Sequence, residues 1–143
     1  MDADFSHKPS DLPRLFDALK DNGLVIGSRY IDGGGTLNWG MSRRVISKAG
    51  NLYARTILGI NVKDITGGFR CYSVDVLKKV DLDRVKSEGY GFQIEMAYRI
   101  KQTGYSIKEI PIIFEERRVG QSKMSLNIAL EAFIRVLVMR LIS

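Results

Sequence analysis

The sequence predicts an α/β fold, because helix-like and strand-like segments alternate along most of the chain. Leu12, Leu15, Phe16 and Leu19 form an apolar stripe at helical spacing, and the short apolar segment LVIGSRY follows at residues 24–30. A helix followed by a buried strand is the unit from which parallel α/β sheets are built. With 143 residues, 45% of them hydrophobic, the chain fits one small domain with a core of its own.

The first half of the chain contains further helix and loop signals. Ser10 or Asp11 can cap the first helix, and the glycine-rich residues 32–40 are typical of a flexible loop. Apolar residues at helical spacing then predict a helix over residues 42–58, and Gly59 is a suitable position for it to end.

The second half continues the alternation. The predicted elements are a strand over 64–73 interrupted by a double glycine, a short helix over 74–80, a helix over 89–104, a strand over 106–116, a basic loop over 116–125 and a helix over 126–143. Pro111 places the 106–116 strand at a sheet edge or at a bulge, because proline cannot donate to a ladder.

The net charge of the chain restricts the class of partner. A formal charge of +6 favours a phosphate-rich partner, which leaves nucleic acid, a nucleotide or an anionic membrane surface. The basic residues do not lie on one helix and carry no interleaved aromatic stripe, so nucleic acid is not expected. The single cysteine, Cys71, cannot form an internal disulfide, which favours a reducing compartment.

Asp2 and Asp4 form an acidic pair at the start of this basic chain, within MDADFSHKPS. Residues two apart point to opposite sides of a strand, but both can face one site where the chain turns. Two carboxylates supply the hard oxygen ligands that Mg²⁺ or Mn²⁺ prefers. In a chain with 16 acidic residues such a triplet also arises by chance, and solvated surface charge is then the alternative interpretation.

Six motifs occur in order along the chain: DADFSHKP, VIGSRY, GGG…NW…SRR, DITGGFR, GYGFQIE and ERRVGQSK. Together they resemble the dolichol-phosphate mannosyltransferase (polyprenyl-monophosphate mannose synthase) branch of the inverting family-2 glycosyltransferases. The resemblance implies the C-terminal portion of a glycosyltransferase A-type fold, with part of the catalytic domain at 1–125 and an amphipathic helix at 126–143. Family members carry nucleotide-binding strands before the acidic pair, so it also implies a truncated chain in which the 24–30 strand has an unpaired edge.

The implied reaction moves mannose from GDP-mannose to a polyprenyl or dolichyl monophosphate with Mg²⁺ or Mn²⁺. A related enzyme using another nucleotide-sugar, such as UDP-glucose, and a non-catalytic membrane-surface or nucleic-acid-binding fragment are the alternatives. The lipid acceptor implies a protein on the cytoplasmic face of a membrane. No general base is required, because the second pKa of a phosphate monoester lies near 6.

The resemblance also implies residue roles. Those for the nucleotide-sugar are Asp2, Ala3, Asp4, Arg29, Arg117 and Lys123; those for the metal are Asp4, with Asp2 and Ser6; those for the lipid phosphate are Arg43 and Arg117; those for catalysis are Asp4, Arg29 and Arg43. Each of the four cations could instead be an ordinary structural or loop charge.

Three further residues allow more than one interpretation. Asp64, with the glycines that follow it, forms either a turn or a close approach to a sugar. Glu95 faces the cleft or the solvent, and His7 is a packed or exposed histidine rather than a base.

The C-terminal helix is expected to lie on a membrane rather than to cross it. Its most apolar run, 132–142, corresponds to about 16 Å of helix, against a hydrocarbon core of about 30 Å. Arg135 and Arg140 interrupt the run and are better placed beside lipid headgroups. Packing of this helix on the domain core is the alternative.

Overall fold

The computed structural model describes residues 1–116 and 126–142, without the side chain of Leu126. The strands are β1 (Leu24–Ser28), β2 (Gly35–Leu37), β3 (Arg70–Tyr72), β4 (Ile107–Pro111) and β5 (Ile113–Glu115). The helices are α1 (Leu12–Leu19), α2 (Met41–Leu58), α3 (Val74–Lys79), α4 (Gly89–Gln102) and α5 (Leu126–Ile142). The fold is mixed α/β, as the sequence predicts.

A three-stranded sheet in the order β3–β1–β4 forms the centre of the described structure. β1 is parallel to β4 and antiparallel to β3. The expectation that the 24–30 strand has an unpaired edge is therefore wrong, because β1 is hydrogen-bonded on both sides. The strand is also shorter than predicted and ends at Ser28.

The predicted 106–116 strand divides into two strands that belong to different sheets. β4 lies at an edge of the described three-stranded sheet, as its proline indicates, whereas β5 pairs in parallel with β2. The chain changes sheets at Ile112, whose amide donates to Ser28 O at 3.0 Å and whose carbonyl accepts from Gly35 N at 3.0 Å. Residues 35–37, predicted as loop, are thus a strand.

The predicted 64–73 strand is mostly irregular, and only residues 70–72 pair with a neighbour. The buried guanidinium of Arg70 explains this difference. It donates to the carbonyls of Gly67 at 2.7 Å, Ile65 at 2.5 Å and Gln93 at 2.8 Å. A side chain therefore takes the carbonyls that a strand ladder would otherwise use.

Alternate residues of β1 supply two hydrophobic clusters on opposite faces of the sheet. Leu24 and Ile26 join the larger cluster with residues of α2, α4 and α5. Val25 joins a smaller cluster with Leu15 of α1 and with Phe69. The sheet thus separates α1 from the other long helices.

The ends of two helices test the capping predictions. Gly59 ends α2 in the left-handed conformation, with φ 62°, and confirms the predicted stop. α1 begins without a side-chain cap, because the carboxylate of Asp11 accepts instead from Arg14 Nη1 at 2.7 Å.

One face of α5 packs on the core and the remainder is exposed. Val136 is 1% exposed within the larger cluster, and the helix contacts α2 and α4. Leu141 and Ile142 are 83% and 80% exposed. Among the described residues no helix is both long and apolar enough to span a membrane.

Gly34 sets the close approach of the glycine-rich segment to the end of β1. A Cβ at this position would lie 2.5 Å from Ser28 O, which belongs to backbone that cannot move aside easily. We therefore expect Gly34→Ala to lower the free energy of unfolding by about 1–3 kcal/mol, as overpacking does. Chemical denaturation of the two proteins measures the difference.

Gly50 provides the matched control within α2. A Cβ there meets no atom within 4 Å, so Gly50→Ala should raise the free energy of unfolding by about 0.5–1 kcal/mol. Equal stability of Gly34→Ala and the parent chain would contradict the assigned contact.

Candidate functional site

A polar cleft of about 280 Å³ opens beside the carboxyl end of β1. Its lining includes Asp2, Arg29, Trp39, Arg43, Gly67, Gly68, Tyr90 and Gln93. The described part of the structure thus brings together Asp2, Arg29 and Arg43 from the set of predicted site residues.

The acidic segment is a compact turn and not the end of a strand. The amide of Asp2 donates to His7 Nδ1 at 3.0 Å, and Phe5 has a left-handed φ of 65°. One carboxylate oxygen of Asp4 accepts from the amide of Ser6, at 3.1 Å, and from its hydroxyl. Because Ser6 is fully buried, its hydroxyl orients Asp4.

The remaining N-terminal prediction concerns Ala3, which is exposed. Asp2 is exposed as well and lines the cleft, whereas Asp4 is half-buried. The pair therefore presents two carboxylates, of which the structure places that of Asp2 in the cleft.

His7 is a packed residue that supports the turn. Its ring stacks on Phe69 with centroids 4.8 Å apart and meets Phe114 edge-on at 5.3 Å. Burial lowers the pKa of His7 below its ordinary value of 6.5, and the nearby Asp2 carboxylate opposes that shift only in part. A neutral imidazole can accept the Asp2 amide, as the structure shows.

Arg29 follows β1 and forms a buried ion pair with Asp64. Arg29 Nε and Nη2 donate to the two oxygens of Asp64, each at 2.7 Å, and the amide of Arg29 donates to the same carboxylate at 2.9 Å. Although burial lowers the pKa of Arg29, the hydrogen bonds and charge of Asp64 raise it above its ordinary value. Arg29 is thus a permanent and rigidly held cation at the cleft.

Two residues that sequence reasoning missed hold this pair in place. Glu109 of β4 accepts from the amides of Lys63 and Asp64, both at 2.9 Å. Asn51 of α2 bonds to both the amide and the hydroxyl of Thr66. Asn51 lies on the polar face predicted for α2, and no sequence signal indicates that its side chain is buried, at 2% exposed.

Arg43, in the first turn of α2, is paired rather than free. Its Nη1 donates to both oxygens of Glu116, at 2.6 and 2.5 Å. Its guanidinium carbon lies 4.0 Å from the centroid of the Trp39 ring, a cation–π contact. A phosphate that binds Arg43 would therefore have to compete with Glu116.

Glu95 takes neither of its two predicted positions. It is 5% exposed and accepts from the amide of Ser87 at 3.0 Å and from Arg99 Nε at 2.8 Å. Burial raises the pKa of Glu95, but the hydrogen bonds from Ser87 and Arg99 together lower it below its ordinary value. Gly89, Tyr90 and Gln93 are the residues of α4 that line the cleft.

An apolar cavity of about 390 Å³ adjoins the polar cleft between α2, α4 and α5. Its apolar lining includes Ile46, Ala49, Tyr53, Ala54, Ile94, Ala129, Ala132, Phe133 and Val136. Four residues, Arg29, Trp39, Thr66 and Tyr90, line both spaces. The two spaces can thus hold different parts of one amphipathic ligand.

The remaining predicted site residues lie outside this geometry. Arg117 and Lys123 fall outside the described residues. Within residues 1–116 and 126–142, no three carboxylate, imidazole or thiol groups gather closely enough to hold a metal ion by themselves. The carboxylates of Asp2 and Asp4 remain suitable oxygen ligands for a cation that is completed by water and phosphate.

Comparisons with known proteins agree with the sequence motifs. The model of glycosyl transferase family 2 matches residues 1–81. The undecaprenyl-phosphate mannosyltransferase of Micrococcus luteus is 52% identical over 136 residues, which are 95% of this chain and 56% of that protein. The polyprenol monophosphomannose synthase of Mycolicibacterium smegmatis is 48% identical over 137 residues, 95% of this chain and 52% of that protein. The chain thus spans about half the length of these curated relatives.

The lowered pKa of His7 predicts acid sensitivity of the folded state. In the unfolded chain the imidazole binds protons more readily, so its contribution to stability is complete above pH 6.5 and decreases as the pH falls below that value. We expect the midpoint temperature of thermal unfolding to decrease as the pH is lowered from about 7.5 to about 5. The variant His7→Phe keeps the ring stacking and should reduce this dependence on pH. Calorimetry over this range measures it.

Glu95 does not obscure that measurement, because its lowered pKa places its own loss of stability below 4.5. His7 is the only histidine of the chain. An unchanged pH dependence in His7→Phe would contradict the buried, neutral state of this side chain.

Proposed function

Because the chain belongs to glycosyl transferase family 2, we propose that it transfers a mannosyl group from GDP-mannose to a polyprenyl monophosphate. The names of the two relatives, a mannosyltransferase and a phosphomannose synthase that act on polyprenol phosphates, support the sugar and the acceptor class. The guanosine nucleotide is the donor that the sequence resemblance implies.

The junction of the two spaces is the observation that carries this proposal. The acceptor has a doubly charged phosphate head and a hydrocarbon chain, which require different surroundings. The polar cleft offers the cations Arg29 and Arg43, and the adjoining apolar cavity offers aliphatic and aromatic walls. A ligand of this chemistry fits across the boundary.

The arginines provide electrostatic stabilisation rather than proton transfer. In the proposed reaction an acceptor phosphate oxygen forms a bond to the anomeric carbon while the bond from that carbon to the diphosphate breaks, and GDP leaves with the electron pair. Arg29, locked by Asp64, offers a positive charge that needs no reorganisation as charge moves. Arg43 would bind phosphate in place of Glu116.

The proposal includes a divalent cation, Mg²⁺ or Mn²⁺, held by Asp4 with Asp2. When bound, such a cation would neutralise charge on the leaving diphosphate. Ser6 contributes by fixing one oxygen of Asp4 through its amide and hydroxyl. The hydrogen bond from the Asp2 amide to His7 closes the turn that carries Asp4.

A chimera allows the reaction to be tested whatever the full length of the protein. In it, this chain replaces the matched segment of the Micrococcus relative. We expect metal-dependent transfer of labelled mannose from GDP-mannose to undecaprenyl phosphate, and less from UDP-glucose. A folded chimera that binds both substrates without transferring mannose would contradict the proposed function.

Asp4→Asn tests the proposed metal ligand in the same chimera. The amide keeps the shape of the side chain but removes its charge, so metal-dependent transfer should fall at least tenfold without loss of fold. Retention of more than about a tenth of the rate, a barrier change below about 1.4 kcal/mol, would contradict the assignment. Asp17→Asn, on the surface of α1, is the matched control.

The proposal also places the protein on the cytoplasmic face of a membrane, with α5 against the lipid. We include α2 in this proposed surface, because the two helices pack together and both expose large apolar side chains. These side chains include Met41, Val45, Ile46 and Leu52 on α2 and Leu130, Ile134, Leu141 and Ile142 on α5. Large apolar side chains exposed on two adjoining helices support an interaction surface.

Charged substitutions at the end of α5 test the membrane proposal. Leu141→Glu combined with Ile142→Glu should reduce flotation with anionic liposomes severalfold, because two carboxylates at these positions would not insert into the lipid. Both are exposed, so the fold should be retained.

Leu12→Glu combined with Phe16→Glu is the matched control for charge. These residues are exposed on α1, across the sheet from α5. Parental flotation of both double variants would show that α5 does not contact the lipid, and equal loss in both would indicate attraction by net charge alone.

A further inference from the structure

We propose that the indole N–H of Trp39 donates a hydrogen bond to the phosphate of the lipid acceptor, an inference that rests on the proposed function. Trp39 is 8% exposed, and its Nε1 has no hydrogen-bond partner among the described residues. A buried donor without a partner is costly, and such groups are rare in folded proteins. A ligand oxygen bonded to Nε1 would remove that cost, and because this nitrogen is itself buried, neighbouring side chains would have to move to admit the oxygen.

The surroundings of Trp39 select an anion as the acceptor. The Arg43 guanidinium carbon lies 4.0 Å and that of Arg29 5.3 Å from the indole ring centroid. Phe114 packs edge-on at 5.5 Å and holds the ring in place. Two guanidinium groups thus contact the indole ring, and positive charge near a binding position favours a negatively charged ligand.

A second unpaired donor strengthens this assignment. Arg43 Nε is also buried and has no partner within residues 1–116 and 126–142, although Nη1 of the same guanidinium is bound to Glu116. Arg43 and Trp39 both line the polar cleft. Two unsatisfied N–H groups on neighbouring side chains match the several acceptor oxygens of one phosphate.

The position of Trp39 favours the lipid phosphate over the nucleotide diphosphate. Trp39 lines both the polar cleft and the apolar cavity, so its indole stands at the boundary between them. A polyprenyl phosphate changes from charged to apolar at its first carbon. A nucleotide-sugar has no hydrocarbon chain beside its phosphates and does not require a contact at this boundary.

The single tryptophan of the chain makes a direct test possible. In the ¹⁵N-labelled 143-residue chain, one indole N–H resonance reports on Trp39. Titration with farnesyl phosphate should shift its proton downfield, as hydrogen bonding to an anion does. Farnesol fills the same apolar cavity without a phosphate and should not produce this shift. Inorganic phosphate and GDP-mannose are the remaining arms.

Each outcome decides a separate point. Binding of farnesyl phosphate, seen in backbone amides of the cleft, without an indole shift overturns this inference and leaves the proposed function standing. A downfield shift with GDP-mannose or inorganic phosphate alone overturns the assignment to the lipid. Absence of farnesyl phosphate binding overturns both the inference and the proposed function.

Trp39→Phe gives an independent measurement, because phenylalanine keeps an aromatic ring but has no N–H donor, and the farnesol arm measures the effect of its smaller ring. By calorimetry we expect the Kd for farnesyl phosphate to rise about tenfold, and the Kd for farnesol to remain unchanged. Tyr105→Phe is the matched control, because Tyr105 lines neither the polar cleft nor the apolar cavity. Equal affinity of Trp39→Phe and the parent chain for farnesyl phosphate would overturn the proposal.

Discussion

The buried ion pair between Arg29 and Asp64 is the constraint on which the rest of the site depends. Asp64 is fully buried, so its charge is tolerable only because three N–H groups of Arg29 satisfy it. Removal of one partner from a buried pair costs about 3–5 kcal/mol, since the other charge remains desolvated. The end of β1 and the segment that begins at Asp64 therefore hold one position relative to each other.

The constraint extends from this pair to the neighbouring elements through single hydrogen-bonded residues. Glu109 fixes the segment before Thr66 to β4, and Asn51 fixes Thr66 to α2. α2 in turn carries Arg43 and the wall of the apolar cavity. The cleft is thus held by polar contacts across three separate parts of the chain.

Sequence patterns predict the local features of this structure and miss those that depend on distant contacts. The helical period and Gly59 define α2 closely. The division of one apolar run at Ile112 depends on which strands lie beside it, and no local signal reports that. Likewise Asn51 looks like a solvated helix residue, although it is buried and bonded to Thr66. Glu95 looks like one as well, although Ser87 and Arg99 satisfy its buried carboxylate. The family resemblance implied that Arg29 lies at the site, but it did not imply that Asp64 is the ion-pair partner of Arg29.

The size of the apolar cavity has a consequence for the choice of acceptor. A space of about 390 Å³ is far smaller than a long polyprenol, and it lies beneath the exposed apolar surface of α2 and α5. Under the proposed function, only the isoprene units nearest the phosphate would touch the protein. The remainder would stay in the surrounding lipid, so the described lining residues would not select for the length of the chain. Discrimination would then act on the first units, through their saturation and double-bond geometry.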